Sequence, residues 1–174
     1  MFWPKLLGVL LIIGGCGCYG LMSANRLHRR VEQLLNMRLA LACLEKEINY
    51  LRAPLPAALS RAAQGAAEPA RSLFAATSQD LQTREGITIN EAWRHNLHSL
   101  YQQTDLNDQD LELLLVMAPQ LGMSGGEEQV KLLTMVQEQL KVQEDRARLE
   151  EENGRKLRVY GGFAFGATVV LLLL

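Results

Sequence analysis

His95 and His98 lie three residues apart in the stretch INEAWRHNLHSL, and on a helix they would share one face, an arrangement that two imidazoles can use to hold a metal ion. A metal site also needs a third and usually a fourth ligand, and no Cys, Asp or Glu completes a recognisable set around these two. A solvated helix face is the simpler reading, with a membrane-tethered metal-sensing or signalling module as the alternative. Glu45 and Glu47 are two residues apart, so on a helix their carboxylates diverge and cannot work as a general acid and base on one bond. With Glu127 and Glu128 they read instead as charges that could meet a basic partner. Gly125-Gly126 lacks the lysine and spacing of a nucleotide loop and serves a turn that opens a helix. The three cysteines are too few for a disulfide framework: Cys16 and Cys18 lie in an apolar run, Cys43 lies in an apolar helical stretch, and all read as small lipophilic residues. The sequence therefore predicts no catalytic residue, no metal and no cofactor.

The elements that carry these residues sit between two uncharged runs. Residues 6–22, LLGVLLIIGGCGCYGLM, would extend roughly 25 Å as a helix, close to the hydrocarbon thickness of a bilayer. Residues 159–174, VYGGFAFGATVVLLLL, form a shorter run that Leu157 and a snorkelling Arg158 can lengthen. The expectation is one membrane helix at 1–22 and another at 159–174. Arg26, Arg29 and Arg30 follow the first run, and Arg155, Lys156 and Arg158 precede the second, against Lys5 alone on the outer side. Positive residues gather on the cytoplasmic side of membrane helices, so residues 23–158 are expected in the cytoplasm. A competing pattern, Ile13-Gly14-Gly15-Cys16 after Lys5, resembles a lipoprotein signal. It is disfavoured because the apolar run continues to Met22 and meets three arginines.

Every acidic residue, and every basic one except Lys5, falls within 23–158, giving 17 basic and 19 acidic side chains mixed along the segment. Such mixing makes no broad positive field, so nucleic acid is not an expected partner.

Within 23–158 the expected fold is an all-α bundle of about six helices. Leu27, Val31, Leu34, Leu41, Leu44, Ile48 and Leu51 recur at helical spacing, with Arg38 interrupting the stripe, until Pro54 and Pro56 stop the helix. Short helices are predicted from Pro56 to about Gln64 and from Pro69 to about Arg84, the second contributing Leu73, Phe74 and Leu81 to the core. Thr88 with Glu91 has the spacing of a capping box and opens a helix that buries Trp93, Leu97 and Leu100. Asn107 with Asp110 opens another that ends before Pro119. Ser124 with Glu127 opens the last, whose apolar side is Val130, Leu133, Val136 and Leu140. From 141 to 158 the sequence is polar nearly all round, which reads as a solvated, charged helical stalk.

The string Leu44-Glu45, Glu47-Ile48, Tyr50, then Pro54-Leu55-Pro56 and Ala58-Leu59, resembles the stage III sporulation protein AB family. The resemblance continues through Gly86, Glu91-Ala92-Trp93 and LGMSGGEEQVKLL into the second apolar run, covering essentially the whole chain. It implies a component of a channel complex of endospore-forming bacteria, placed in the mother-cell membrane facing the forespore. It also implies cytoplasmic helices similar to those of the inner-membrane platform protein of type II secretion and type IV pilus machines. Such platforms couple a cytoplasmic ATPase to the membrane assembly, and the implied partner is the secretion-type ATPase stage III sporulation protein AA, with other channel components and membrane lipids. The family brings no catalytic residue to carry over, and Cys16 and Cys18 match no part of its pattern.

Overall fold

The computed structural model describes the backbone of residues 3–122 and 126–173, and the side chains of residues 25–122 and 126–154. Six helices, and no strand among the described residues, make up the chain: α1 Trp3–Asn49, α2 Leu55–Gly65, α3 Ala70–Thr83, α4 Ile89–Tyr101, α5 Asp108–Val116 and α6 Gly126–Leu173. The chain divides into two compact units, one of residues 1–29 with 146–174 and one of residues 30–145.

In the first unit α1 and α6 run alongside each other. His28 Nδ1 lies 2.9 Å from Glu151 Oε1. Gly154 sits so close to α1 that a Cβ there would stand 3.2 Å from Leu27 Cδ1. Among the described residues no helix is long and apolar enough to cross a membrane. The two apolar runs, 6–22 and 159–174, lie outside the residues whose side chains are described, as do Arg155, Lys156 and Arg158.

In the second unit α1 is the column on which the rest is assembled. Its core stripe, Leu34, Met37, Leu41, Leu44 and Ile48, is buried, as the 3.6-residue period requires. Polar residues of the same helix fasten its neighbours. Arg30 bonds Asp110 of α5, Arg38 bonds Glu144 of α6, and Glu47 accepts from Arg61 of α2. Asn36 donates to the carbonyl of Glu68 ahead of α3, and Gln33 accepts from the backbone N–H of Asp105. Consecutive helices α2 to α5 pack in sequence order. Ser78 Oγ donates to the Pro56 carbonyl, the Phe74 and Trp93 rings meet at 5.7 Å, and Trp93 Nε1 donates to the Leu114 carbonyl at 2.8 Å.

The caps follow local chemistry. Thr88 Oγ1 accepts from the Glu91 N–H while the Glu91 carboxylate accepts from the Thr88 N–H, and Asn107 with Asp110 repeats the arrangement at α5. The bonds from Thr88 hold the Glu91 carboxyl below the usual carboxylate range. Ser124, expected to cap α6, lies outside the described residues.

Five expectations meet a different outcome in the structure. Leu51 was placed on the buried stripe but is 60% exposed, because α1 ends at Asn49 and the helical period stops with it. Leu81 and Leu100 are half-buried rather than core. Cys43 is exposed, since it falls on the face of α1 opposite the core. Arg30, counted among the membrane-flanking cations, is buried at 6% exposure because it shares the core side of α1 with Leu34 and finds Asp110 there. Within the charged stretch 141–158, Glu144 and Ala147 are buried, so that stretch is not solvated on every side.

Candidate functional site

The end of α1 and the start of α6 form a cleft of about 510 Å³, lined by Ile48, Asn49, Arg52, Ala53, Gly126, Glu127 and Gln129. Its shape begins with the way α1 stops. Asn49 is the last helical residue, the Tyr50 N–H bonds the Lys46 carbonyl, and the Ala53 N–H reaches back to the Glu47 carbonyl. Between them Arg52 takes φ +45°, a left-handed conformation that costs a side-chain-bearing residue about 1–2 kcal/mol. Pro54 then excludes helix at Ala53 and starts α2.

That reversal leaves Tyr50 79% and Leu51 60% exposed next to the cleft. Two large apolar side chains side by side on a turn are surface that association could bury, and tyrosine is among the residues that most often anchor interfaces. Arg52 and Glu127 bring opposite charges to the cleft wall, and neither has a partner among the described residues. The cleft can therefore receive a polypeptide surface carrying both apolar and charged groups. Among the described residues that line it, no nucleophile and base are held together.

Of the acidic residues singled out in the sequence, Glu127 reaches the cleft and Glu128 is exposed beside it in the first turn of α6. Glu45 and Glu47 do not join them. Glu45 accepts a hydrogen bond from Gln137 of α6 at 2.7 Å, and Glu47 one from Arg61 of α2 at 3.2 Å, on different sides of α1 as their spacing requires. Arg26 and Arg29 are exposed. His95 and His98 are exposed on α4, and among the described residues no three His, Cys, Asp or Glu side chains gather as a metal site. Tyr50, Leu51 and Arg52 were missed as site residues. Periodicity carried the helix through them, whereas Pro54 four residues after Tyr50 was the available sign that it could not continue.

The family model of stage III sporulation protein AB matches residues 5–174. The chain belongs to that family. It is 28% identical over 170 residues to the stage III sporulation protein AB of Bacillus subtilis (strain 168), covering 98% of this chain and 99% of that one. A solved structure of a stage III sporulation protein AB is similar at a TM-score of 0.66 and 27% identity, covering 72% of this chain and 98% of that chain. The all-helical fold and the sporulation family thus agree with the resemblance of the LEKEINYLRAPLPAAL stretch. The shared name describes a stage of sporulation and carries no activity.

Proposed function

We propose that the chain is a non-enzymatic platform of the sporulation channel complex, coupling a cytoplasmic secretion-type ATPase, stage III sporulation protein AA, to the membrane assembly. Helices at 1–22 and 159–174 anchor it in the mother-cell membrane and contact its lipids, with 23–158 on the cytoplasmic side and 141–158 as the charged connection to the second anchor. The distribution of Arg26, Arg29, Arg155, Lys156 and Arg158 supports this orientation.

The single observation behind the coupling role is the cleft with its exposed Tyr50-Leu51 edge. An apolar pair on a turn, beside the charged Arg52 and Glu127, is the chemistry of a protein contact. Arg52 fits the same role, because left-handed non-glycine residues often mark sites where conformation is held for function.

The test is co-purification of the tagged chain with stage III sporulation protein AA from sporulating cells. Replacing both Tyr50 and Leu51 by serine is expected to abolish recovery of the ATPase while leaving the level of the chain in the membrane unchanged, since exposed positions cost little stability. Undiminished recovery by the double variant would exclude this cleft as the docking site. A wild-type chain that recovers neither the ATPase nor other channel components would end the platform reading.

A further inference from the structure

Arg52 holds a backbone conformation that the fold elsewhere gives to glycine. Among the described residues the other two with positive φ are Gly86 at +80° and Gly122 at +88°. A left-handed residue just past the end of a helix is ordinarily glycine, because a Cβ there crowds the following carbonyl. Arg52 stands at that place after α1 with φ +45°, exposed on the cleft wall.

Among the described residues its guanidinium makes no hydrogen bond or ion pair. The carboxylates of α1 that precede it are engaged elsewhere: Glu47 accepts from Arg61 at 3.2 Å and Glu45 from Gln137 at 2.7 Å. Glu127 lines the same cleft without pairing with Arg52. A strained conformation kept by an exposed side chain that ties nothing within the described fold is an observation that points to function.

The surroundings of the cation define what it would meet. A guanidinium presents five N–H donors in a planar fork, which fits a carboxylate through two parallel bonds. Tyr50 at 79% and Leu51 at 60% exposure precede it, and burying them against a partner would exclude water from such a pair and strengthen it. Glu127 in the cleft and Glu128 beside it oppose a dense anion such as a phosphate or an anionic membrane surface. The complementary group is therefore a single carboxylate set among apolar side chains, on a protein.

We infer that Arg52 is the specificity-determining residue of the cleft, its guanidinium receiving an aspartate or glutamate side chain of the docked protein. Given the docking role proposed above, on which this rests, the partner must carry that charge opposite Arg52 and apolar residues opposite Tyr50 and Leu51.

The experiment uses the full tagged chain from sporulating cells and reads both the ATPase recovered with it and the melting temperature of the purified chain in detergent. Arg52→Gly relieves the left-handed strain, so its melting temperature should equal or exceed that of the parent, while recovery of the ATPase should fall about tenfold. Arg52→Gln keeps a long polar side chain without the charge and should lose recovery to the same extent. Raised salt should weaken recovery by the parent more than by either variant. Undiminished recovery by either variant overturns the inference, as does equal salt sensitivity in parent and variants. A glycine variant that melts below the parent also overturns it, because the side chain would then serve the fold. A parent chain that recovers no ATPase ends the docking role and this contact together, whereas full recovery by the Arg52 variants removes the contact alone.

Discussion

Arg30 on α1 grips Asp110 at the start of α5 with two hydrogen bonds, Nε to Oδ2 at 2.8 Å and Nη2 to Oδ1 at 3.2 Å, and Asp110 is fully buried. The same carboxylate accepts from the Asn107 N–H at 3.0 Å, so one side chain both caps α5 and ties it to α1. Two distant segments are thereby put in register by a fork-and-carboxylate geometry that a lysine could not reproduce.

Removing one partner of this pair is expected to be costly. Asp110→Ala removes the carboxylate that binds the buried Arg30 guanidinium together with the cap of α5, and should destabilise the bundle by about 3–5 kcal/mol. The double replacement Arg30→Met with Asp110→Leu should recover much of that loss, because two apolar side chains need no charge compensation. Thermal unfolding followed by circular dichroism compares the variants. Equal loss in the single and double variants would mean that the capping contribution outweighs the ion pair.

Trp93 stands between α3 and α5. Its indole N–H satisfies the Leu114 carbonyl in the last turn of α5, where the Ala118 N–H bonds Leu115 instead. Trp93→Phe keeps the ring against Phe74 but leaves that carbonyl unpaired, at an expected cost of about 1–3 kcal/mol, and Trp93→Ala should cost about 3–5 kcal/mol. Denaturant midpoints measure both, and a phenylalanine variant as stable as the parent would show that the hydrogen bond contributes nothing net.

Two exposed pairs give opposite pH limbs. The folded Glu91 carboxyl titrates below its ordinary value because Thr88 bonds to it, so its contribution is present above that ordinary value and is lost as pH falls through the folded one. Tyr101 is held above 10.0 by its hydrogen bond to Asp108, so its contribution is present below its ordinary value and is lost as pH rises through the folded one. Glu91→Gln should flatten the acid limb of melting temperature against pH, and Tyr101→Phe the alkaline limb. Each variant should leave the other limb in place.

Gly122 lies in the turn after α5 with φ +88°, and a Cβ there would stand 3.1 Å from Ile89 Cγ2. Gly122→Ala therefore meets both a left-handed backbone and a crowded neighbour, and should cost about 2 kcal/mol. At Gly86, with φ +80° and open space around it, alanine should cost less. Comparing the two melting temperatures separates crowding from backbone strain.

Much of the fold was legible because it is set locally. Helical period marked the core faces of α1 and α6, the Thr88 and Asn107 caps announced α4 and α5, and prolines bounded α2 and α3. The divergence of Glu45 and Glu47 was likewise a matter of helix geometry. The family followed from a string of residue types in order.

The tertiary structure decided what periodicity cannot carry. Arg30 and Arg38 looked like a flanking cation and a blemish in an apolar stripe. They become buried or half-buried ties only because Asp110 and Glu144 arrive from 80 and 106 residues away. Leu51 follows the apolar pattern yet is exposed, because the chain reverses at Arg52 before the next turn can form. Spacing along one chain fixes which residues share a face, but which faces meet depends on how separate segments pack, and that is where the cleft between the end of α1 and the start of α6 arises.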